Sequence, residues 1–482
     1  MTSNNDLLSA DATQQISALR AKQISPSELL DEAIKAVERV NPKLNSLIHE
    51  RFDAARTEAK NVDLNAPFGG VPMVVKDLEC AIAGEPHHMG ARFLKNAGYR
   101  APNDSYLAER FRSGGFVIIG RTNTPEFGGT ITTEPLAYGP CRNPWNTNHS
   151  TGGSSGGSAA TVASGCVAVG HANDGGGSIR VPASECGLVG LKPSRGRVSK
   201  GPDIGESWMG STIDGCVTRS VRDTAAVLDL ISGYEAGDPY TAPPFARPLA
   251  REVGVNPGAL RIGILDHPLL TSGIDHPETR ASIAETTKLL TTLGHHVEIA
   301  HPPAFGEQLF SDMFTIVVCA AMASDISVWE KYFGRTLGAD DIEPDTSFMA
   351  EMGRTVSVSD YLRTVGELHR WSRRVVEWWL PRDGSRGFDL LCTPTIAGPP
   401  PLIGLLAGPE GMQHAIAAMQ YTAQFNVTGQ PAISLPLHWS TDGLPMGVQF
   451  VGAPNREDVL VQIAAQLESA TNWSQRRPLV HA

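Results

Sequence analysis

The hydrophobic positions of the chain fall into two spacings, one typical of helices and one typical of short buried strands. Over residues 1–65, apolar side chains recur three and four positions apart, as on one face of a helix. Ser25-Pro26-Ser27-Glu28 forms a capping box with proline at the first helical position, and Asn41-Pro42 is predicted to end that helix. Apolar runs at 71–75 and 116–120 predict buried strands. The chain thus begins as a helical segment and continues with strands.

Residues 151–189 change composition to glycine, serine and alanine, with only Asp174, Arg180 and Glu185 charged. A flexible linker is one interpretation of such a stretch. Packable apolar pieces such as residues 159–163 lie between these glycines, however, and linkers seldom carry them. The pattern therefore favours a buried core segment in which backbones approach one another closely.

The second half of the chain also alternates strands with helices. Residues 260–265, 277–293 and 297–299 form a strand–helix–strand pattern, which predicts a right-handed parallel crossover. Residues 303–381 are predicted to be mostly helical, and residues 388–391 return as a strand. One helix is predicted to hold Trp371, Trp378 and Trp379, which could line a substrate cavity, although core packing is favoured. The remaining predictions are a hairpin of residues 436–438 and 446–451 and a closing helix at 459–467. This alternation predicts an α/β fold.

Length and charge narrow the class of protein. At ~150 residues per domain, 482 residues suggest about three domains, although some α/β folds carry this much chain around one sheet. The net charge is -11 and there is no Lys/Arg-rich run, which argues against a nucleic-acid partner. No apolar run approaches the ~20 residues of a membrane span, and the polar start lacks a secretory signal. We expect a cytoplasmic protein.

Cysteines and histidines give no sign of a metal or redox centre. The seven cysteines are odd in number and contain no C-x-x-C pair, so neither a disulfide framework nor a zinc site is expected. The fourteen histidines contain no H-E-x-x-H. Neither a metal nor another cofactor is therefore predicted.

Three polar residues stand at places that could carry chemistry. Lys76 follows an apolar strand, Ser154 lies in a Gly-Gly-Ser-Ser-Gly-Gly run, and Ser178 ends a run of three glycines. The backbone N–H groups of residues 175–178 could converge on one point, as an oxyanion hole requires. From spacing alone, a surface lysine and two glycine–serine loops remain the simpler interpretation. The pattern Gly153-x-Ser155-x-Gly157 matches a nucleophile elbow, but a glycine-rich segment produces it by chance.

A long, ordered series of motifs runs through residues 70–198 and continues past them, so that it covers essentially the whole chain. These motifs are Gly70-Val71-Pro72, Lys76-Asp77 and residues 120–126, 152–158, 176–180, 190–193, 219–223 and 426–434. They resemble the amidase signature family. Through Asn143-Pro144-Trp145, Asn173-Asp174 and residues 424–436, the chain most resembles the 6-aminohexanoate-cyclic-dimer hydrolases of that family, which are nylon-oligomer amidases.

The resemblance implies the arrangement of the fold. We expect a single domain over residues 1–482, built on a large, mixed, mostly parallel twisted sheet with helices on both faces. Its parts would be the N-terminal helical segment 1–65, the signature core 70–198 and the mostly helical, substrate-side region 303–381.

The resemblance also implies a Ser–cisSer–Lys triad. Lys76 would be the base, Ser154 the serine on a cis peptide bond, and Ser178 the nucleophile, while Ser155 would be a structural neighbour. A free lysine has a pKa near ~10.4, and burial lowers that value. Neutral Lys76 would accept a proton from Ser154, which takes one from Ser178; Ser154 would then protonate the leaving amine, and water would release the acyl group.

The oxyanion would be held by backbone N–H groups around Gly175, Gly176 and Gly177. Many members of the family have threonine where this chain has Gly175. The backbone donor survives this change, but a side-chain contact is lost. We therefore expect a wider pocket floor.

The function implied by the resemblance is hydrolysis of small to medium, largely apolar amides. Aminohexanoate oligomers, anilides, esters and carbamates (a urethanase-like activity) are included, because all pass through the same acyl-enzyme chemistry. The acyl and amine pockets are expected in residues 200–215, 310–325 and 400–425. The residues expected in these pockets are Trp208, Met209, Cys319, Tyr421 and Phe425, with Cys319 equally suited to a buried apolar role.

Two other functions compete with a free-standing amidase. One is the glutamine-hydrolysing subunit of a tRNA-dependent amidotransferase. Those subunits have an acidic residue about two turns before the position of Asn426, where this chain has Ala418, Met419 and Gln420. The other is a catalytically silent binding protein, which the three filled triad positions disfavour. A small-molecule amide or carbamate is the expected partner, and a homodimer is a family-level expectation.

Overall fold

Eleven strands form one sheet in the computed structural model, which describes residues 4–307 and 309–482. The strands are β1 (Leu47–Glu50), β2 (Pro72–Lys76), β3 (Val117–Thr122), β4 (Val169–Asp174), β5 (Val189–Lys192), β6 (Ile213–Thr218), β7 (Arg261–Ile264), β8 (His296–Ile299), β9 (Leu390–Pro394), β10 (Ala432–Trp439) and β11 (Pro445–Gly452). Their order across the sheet is β1-β3-β2-β4-β6-β5-β10-β11-β9-β7-β8. The α/β class predicted from the sequence is confirmed.

Helices connect and cover these strands. They are α1 (Asn4–Ser9), α2 (Ala12–Arg20), α3 (Pro26–Leu44), α4 (Phe52–Asn61), α5 (Arg92–Ala97), α6 (Tyr106–Ser113), α7 (Gly156–Ala163), α8 (Arg180–Cys186), α9 (Val221–Ile231), α10 (Pro277–Thr292), α11 (Leu309–Phe333), α12 (Pro344–Arg354), α13 (Val358–Val376), α14 (Gly408–Ala418), α15 (Ala423–Val427) and α16 (Glu457–Ala470). The main hydrophobic core lies between them and the sheet.

The sheet is mixed, as predicted, but parallel pairs are the minority. In the described chain four of the ten neighbouring pairs are parallel, namely β2–β3, β2–β4, β7–β8 and β7–β9. The expectation of a mostly parallel sheet is therefore wrong. The predicted hairpin contributes to the difference, since β10 pairs antiparallel with both β11 and β5. The parallel pairing of β7 with β8 matches the predicted strand–helix–strand unit.

The N-terminal segment follows its capping signals. Ser25 accepts a hydrogen bond from the N–H of Glu28, and the Glu28 carboxylate accepts one from the N–H of Ser25, so the predicted capping box is confirmed. The predicted end at Asn41-Pro42 is wrong, because α3 runs to Leu44. Pro42 lies in the last turn, where its missing N–H removes one hydrogen bond, and Asn45 ends the helix in the left-handed conformation with φ 51°. Strand β1 interrupts the helical segment that the sequence predicts over 1–65.

The glycine-rich stretch 151–189 is core and not a linker. Every residue from Thr151 to Ala163 is buried, and the stretch folds into α7, β4 and α8. Strand β4 lies between β2 and β6 near the middle of the sheet, and all six of its residues are buried. The core interpretation is confirmed.

Region 303–381 is mostly helical, as predicted, and consists mainly of α11, α12 and α13. Trp371 lies inside α13 and is fully buried, but Trp378 and Trp379 follow the end of that helix. The prediction of one helix with all three tryptophans is therefore wrong, although packing of Trp371 and Trp379 in the core is correct.

Helix α11 is the most apolar long helix of the described chain. The stretch Phe310–Phe333 is long and apolar enough, by length and composition, to cross a membrane; its most apolar 18-residue window has a mean hydropathy of 1.4, and 39% of that window is buried inside the protein. Asp312 and Asp325 limit its uncharged run to residues 313–324, so the prediction that no apolar run approaches ~20 residues stands. Met322, Cys319 and Val317 on this helix are buried against other parts of the protein.

Helices α11 and α12 pack closely through a glycine. A Cβ added to Gly353 would overlap the backbone carbonyl oxygen of Cys319 and lie 2.8 Å from the Cβ of Ala323. Backbone cannot move out of the way as a flexible side chain can, so glycine is required for the two helices to approach this closely.

We predict that Gly353→Ala destabilises the protein by about 1–3 kcal/mol, because the added methyl group must push α12 away from α11. Urea denaturation measured by circular dichroism checks this. Gly366→Ala in α13 is the matched control, since the nearest atom to its added Cβ is an Arg370 nitrogen 3.9 Å away. We expect Gly366→Ala to be neutral or to stabilise by up to ~1 kcal/mol. Equal effects of the two variants would contradict this account of the α11–α12 contact.

Candidate active site

Lys76 and Asn173 meet because they end two neighbouring parallel strands. Strands β2 and β4 pair through Met73 with Val169 and Val74 with Gly170, so their carboxyl ends lie at the same edge of the sheet. The Lys76 Nζ donates to the Asn173 Oδ1 at 2.5 Å. The Lys76 side-chain nitrogen therefore lies at the carboxyl ends of these two strands, bonded to a neutral amide oxygen.

Lys76 is fully buried. Burial lowers the pKa of its side chain to about 7, against the opposing influence of Glu79, Asp214 and Asp174, whose negative charges favour the protonated form. None of these carboxylates contacts Nζ in the described chain; its hydrogen-bond partners there are Asn173 and Ser154. A large neutral fraction of Lys76 is therefore present near pH 7.

Ser154 lies directly beside Lys76. It precedes α7, and its peptide bond with Gly153 is cis, as the family resemblance implies. The Lys76 Nζ lies 2.6 Å from the Ser154 Oγ. A neutral amine donates to the amide oxygen of Asn173 and keeps its lone pair for the hydroxyl of Ser154. The geometry thus suits proton transfer from Ser154 to Lys76.

The glycines around Ser154 allow other backbone segments to approach it. A Cβ at Gly153 would lie 2.5 Å from the carbonyl oxygen of Thr132, and one at Gly157 would overlap the backbone of Asn123. Ser155 points elsewhere, because its hydroxyl donates to the carbonyl of Asn173 at 3.3 Å. The run is glycine-rich because it is tightly packed.

Ser178 lies at the end of the glycine loop formed by residues 175–178, between β4 and α8. It is half-buried and lines the same cavity surface as Ser154. In the part of the chain that the structure describes, the side chains of Ser154 and Ser178 form no hydrogen bond with each other. Catalytic hydrogen bonds are often long before substrate binds, so this arrangement is compatible with a proton relay.

A buried ion pair fixes the ends of this glycine loop. Arg180 donates to both carboxylate oxygens of Asp174, at 2.9 Å and 2.8 Å, and both side chains are fully buried. Burial alone would raise the pKa of Asp174, but Arg180 outweighs it and holds that pKa at about 2. The carboxylate also accepts from the N–H of Ile179 at 3.1 Å. Asp174 therefore ties the start of the loop to the helix that follows it.

Two side chains from the C-terminal third complete this support. The Asn426 side chain donates to the Asp174 backbone carbonyl at 3.0 Å and to its carboxylate at 2.9 Å. The Thr422 hydroxyl donates to the carbonyl of Gly176 at 2.5 Å. Sequence reasoning identifies Asn426 only as part of a family motif and misses Thr422, since nothing local signals contacts across about 250 residues of chain.

A second buried network supports the backbone of Lys76. The Nδ1 of His171 accepts from the Lys76 N–H at 3.3 Å, and its Nε2 lies 3.0 Å from an Asp214 carboxylate oxygen. Lys200 lies 3.6 Å from Asp214 and 2.5 Å from Glu79. Burial would raise the pKa of Asp214, but Lys200 and His171 hold it at about 2. His171 contacts the main chain of Lys76, so its role is structural.

Two cavities meet at Ser178, and we name them the apolar arm and the acidic arm. The apolar arm has a volume of about 180 Å³ and is lined by side chains such as Phe314, Met349 and Met419. The acidic arm has a volume of about 420 Å³, and Ser154 and Asn173 lie on its wall. Gly128, Ser178 and Trp208 line both arms.

The charged side chains that line the described walls of both arms are carboxylic acids. The described lining contains neither lysine nor arginine. Burial raises the pKa of Glu126 to about 7, and Glu126 accepts a hydrogen bond from the N–H of Glu343 at 2.7 Å. The acids are Glu126, Glu343 and Asp345 in the apolar arm and Glu79, Asp203, Glu206 and Asp325 in the acidic arm.

The pocket residues expected from the sequence are only partly correct. Trp208 and Cys319 line the arms. Met209, Tyr421 and Phe425 instead pack in a hydrophobic cluster, with Tyr421 and Phe425 only 2% and 1% exposed. Large apolar residues near a site are buried more often than they line it, and sequence does not separate the two cases.

The expected widening at Gly175 does not occur. A Cβ at Gly175 would lie 3.0 Å from the indole of Trp208 and 3.1 Å from a methyl group of Thr212. The space left by the absent side chain is therefore filled by Trp208. The backbone N–H groups of Gly175, Gly176 and Gly177 remain the predicted oxyanion donors.

Among the described residues, no three or more histidine, cysteine, aspartate or glutamate side chains are placed to hold a metal ion. All seven cysteines are buried and free. The arrangement that can do chemistry is therefore the Lys76–Ser154 contact and the glycine loop with Ser178.

Comparison with known proteins agrees with this geometry. The amidase family model matches residues 28–461. The chain is 43% identical to 6-aminohexanoate-cyclic-dimer hydrolase of Paenarthrobacter ureafaciens, over 97% of this chain and 96% of that protein. A solved structure of 6-aminohexanoate cyclic dimer hydrolase complexed with substrate superposes with TM-score 0.93 at 42% identity, covering 98% and 100% of the two chains.

The solved structure of a bacterial aryl acylamidase, which belongs to the amidase signature enzyme family, superposes with TM-score 0.85 at 26% identity and covers 97% of each chain. Both the family match and the identities extend over nearly the full length. The chain belongs to the amidase family and is a hydrolase of amide bonds.

Proposed function

We propose that this chain hydrolyses amide bonds through Ser178 as nucleophile, with Ser154 and Lys76 as a proton relay. The observation that carries the proposal is the 2.6 Å contact between the Lys76 Nζ and the Ser154 Oγ, made by a lysine whose pKa burial lowers to about 7. A lysine in that state is a base near neutral pH. Ser178 faces the same cavity as Ser154 and ends a loop of backbone donors.

Acylation begins with two proton shifts. Lys76 takes the proton of Ser154, Ser154 takes that of Ser178, and the Ser178 oxygen attacks the carbonyl carbon. The electron pair of the C=O bond moves to oxygen, where N–H groups of Gly175, Gly176 and Gly177 stabilise the charge. The C–N bond then breaks as Ser154 gives its proton to the departing amine, and Lys76 returns a proton to Ser154.

Deacylation repeats these steps with water as the nucleophile. Water gives its proton to Ser154 and attacks the acyl carbon, and Ser178 leaves as its hydroxyl is protonated again. The products are a carboxylic acid and an amine. The proton that leaves with the amine is replaced by one from water, so Ser178, Ser154 and Lys76 end the cycle in their starting protonation states without any metal or organic cofactor taking part.

The substrates proposed are small to medium, largely apolar amides. Phe314, Met349 and Met419 give the apolar arm a flexible hydrophobic lining that adapts to different chains. Aminohexanoate oligomers are included because of the likeness to 6-aminohexanoate-cyclic-dimer hydrolase. Anilides, esters and carbamates are included because they form the same acyl-enzyme. Cytoplasmic location and a homodimer stay predictions of the sequence.

A product assay without any partner protein tests the proposal. The panel contains aliphatic amides, anilides, cyclic and linear aminohexanoate oligomers, an aryl carbamate and glutamine. Turnover of apolar amides supports an independent amidase. Activity on glutamine alone would favour the amidotransferase subunit, although Ala418, Met419 and Gln420 provide no acidic side chain for a glutamine ammonium.

We predict that Ser178→Ala lowers turnover by at least ~10³-fold, since the variant has no oxygen to form the acyl-enzyme. Circular dichroism checks that the fold is kept. Ser155→Ala is the matched control, because the Ser155 hydroxyl bonds to a backbone carbonyl and not to Lys76. Full activity of Ser178→Ala, or equal losses in both variants, would show that Ser178 is not the nucleophile.

We predict an acid limb in the pH profile of kcat/KM with a midpoint near the Lys76 pKa of about 7. Below that pH the lysine is protonated and cannot act as a base, so the rate falls toward tenfold per unit. Asn173→Asp should move the limb to higher pH by roughly 1–3 units, because a carboxylate at Nζ favours the charged form. An unshifted limb in a folded Asn173→Asp variant contradicts the assignment of Lys76 as the base.

We predict that an anionic tail on the substrate disfavours turnover, since acids and no lysine or arginine line the described walls of both arms. The matched substrates are p-nitroanilides of hexanoic acid, 6-aminohexanoic acid and adipic acid. The adipic derivative should have a kcat/KM on the order of tenfold lower than the other two, with the gap narrowing as salt screens the charges. Equal rates at low salt would exclude this electrostatic selection.

A further inference from the structure

We propose that Trp208 sets the substrate specificity of this site by dividing the cavity at Ser178 into its two arms, and that residue 175 is glycine to make room for its indole. The inference rests on the proposed function of Ser178. It adds the residue that decides which groups may flank the scissile bond.

The first observation is the position of Trp208. It lines the apolar arm and the acidic arm, and so does Ser178, whereas Phe314 lines only the apolar arm and Trp329 only the acidic arm. The Trp208 ring packs edge-on against Phe314, with ring centres 6.3 Å apart. An indole between two cavities that share the nucleophile is a wall between the acyl side and the amine side of a bound amide.

The second observation is that the wall is held in place by its own backbone. Trp208 and Met209 both adopt left-handed backbone conformations, with φ 52° and 53°. The N–H of Ser211 donates to the carbonyl of Trp208 at 3.0 Å, which closes a turn. Residues other than glycine seldom occupy this region, so two of them in succession make this an uncommon turn.

The third observation explains Gly175. Its backbone lies outside the left-handed region, in contrast to Gly177 with φ +146°, so an alanine is acceptable to the main chain. The nearest obstacle is the indole, whose Cε3 and Cζ3 would lie 3.0 Å from an added Cβ, and the Thr212 methyl group follows at 3.1 Å. Carbon atoms in contact prefer about 3.5–4.0 Å. Gly175 is therefore paired with Trp208 by shape.

This division has a consequence for substrates. A linear amide with its carbonyl carbon at Ser178 must place the acyl chain in one arm and the amine group in the other, on either side of the indole. Chains that are unbranched next to the amide fit past the wall, whereas branches on the flanking carbons meet it. The largest acyl group and the largest amine group that the site accepts are then set independently of each other.

Two substrate series test the wall. One varies branching next to the carbonyl with a fixed anilide, and the other varies branching next to the nitrogen with a fixed hexanoyl group. We expect Trp208→Ala to raise the kcat/KM of the most branched members of both series, relative to unbranched ones, on the order of tenfold. KM for unbranched substrates should rise more than kcat falls, because uniform contacts are lost. Phe314→Ala and Trp329→Ala are the controls, and each should alter one series only.

A rescue experiment tests the pairing of Gly175 with Trp208. We expect Gly175→Ala to lower kcat/KM on the order of tenfold, since the indole is displaced into the arms. In the Trp208→Ala background the same change should cost less than about threefold, because the obstructing ring is gone. Thermal unfolding of all variants confirms that they are folded.

The outcomes separate this inference from the proposed function. If the wild type turns over amides and Ser178→Ala does not, the proposed function stands, whatever the Trp208 variants show. The proposal would be wrong if Gly175→Ala lowered kcat/KM equally in both backgrounds. It would also be wrong if Trp208→Ala lowered kcat/KM by the same factor for all substrates. Rescue together with new tolerance of branching on both sides supports it.

Discussion

The buried ion pair between Arg180 and Asp174 is the contact on which the arrangement of the site depends. Two charges removed from water are stable only when their hydrogen-bonding capacity is used. Arg180 meets this condition: beyond Asp174, it donates to the Thr422 carbonyl at 2.9 Å and the Gln449 side chain at 2.7 Å. It also donates to the Asn426 side chain at 2.6 Å. A loop that has almost no side chains of its own is thereby held by strand β11, helix α15 and helix α8.

Lys76 and Asp174 show how neighbours decide the effect of burial. Both side chains are fully buried, and burial alone drives each toward its neutral form. Asp174 contacts a guanidinium and keeps its charge, with a pKa of about 2. Among the described residues, the Lys76 Nζ bonds to a neutral amide and a hydroxyl and to no carboxylate, so burial prevails and its pKa falls to about 7. The same desolvation thus produces a structural anion, Asp174, and a candidate base, Lys76, at the ends of the neighbouring strands β4 and β2.

Local patterns predicted the features that depend on short stretches of chain. The capping box of Ser25 and Glu28, the β10–β11 hairpin and the buried character of residues 151–189 all follow from adjacent residues. The family motifs placed Lys76 and Ser154, which the structure brings into contact. Strand β1 was missed, because four residues between two helices give little periodicity and its partner β3 lies about 70 residues away.

Contacts between distant segments could not be predicted in this way. The filling of the space at Gly175 by Trp208 depends on how residue 208 folds back over the glycine loop. The burial of Tyr421 and Phe425 depends on a hydrophobic cluster that several distant segments build. The prevalence of antiparallel pairs likewise reflects chain reversals, which hydrophobic periodicity does not record.

The position of α11 and α12 in the chain has an evolutionary consequence. These helices wall the apolar arm, and both lie in the connection between β8 and β9, more than 100 residues after the glycine loop. The described hydrogen-bond partners of the Lys76 Nζ, and the strands that pair with β2, all lie outside this connection. The substrate range can therefore diverge between relatives while the reaction chemistry is inherited unchanged. For redesign, this connection between β8 and β9 can be exchanged as one segment.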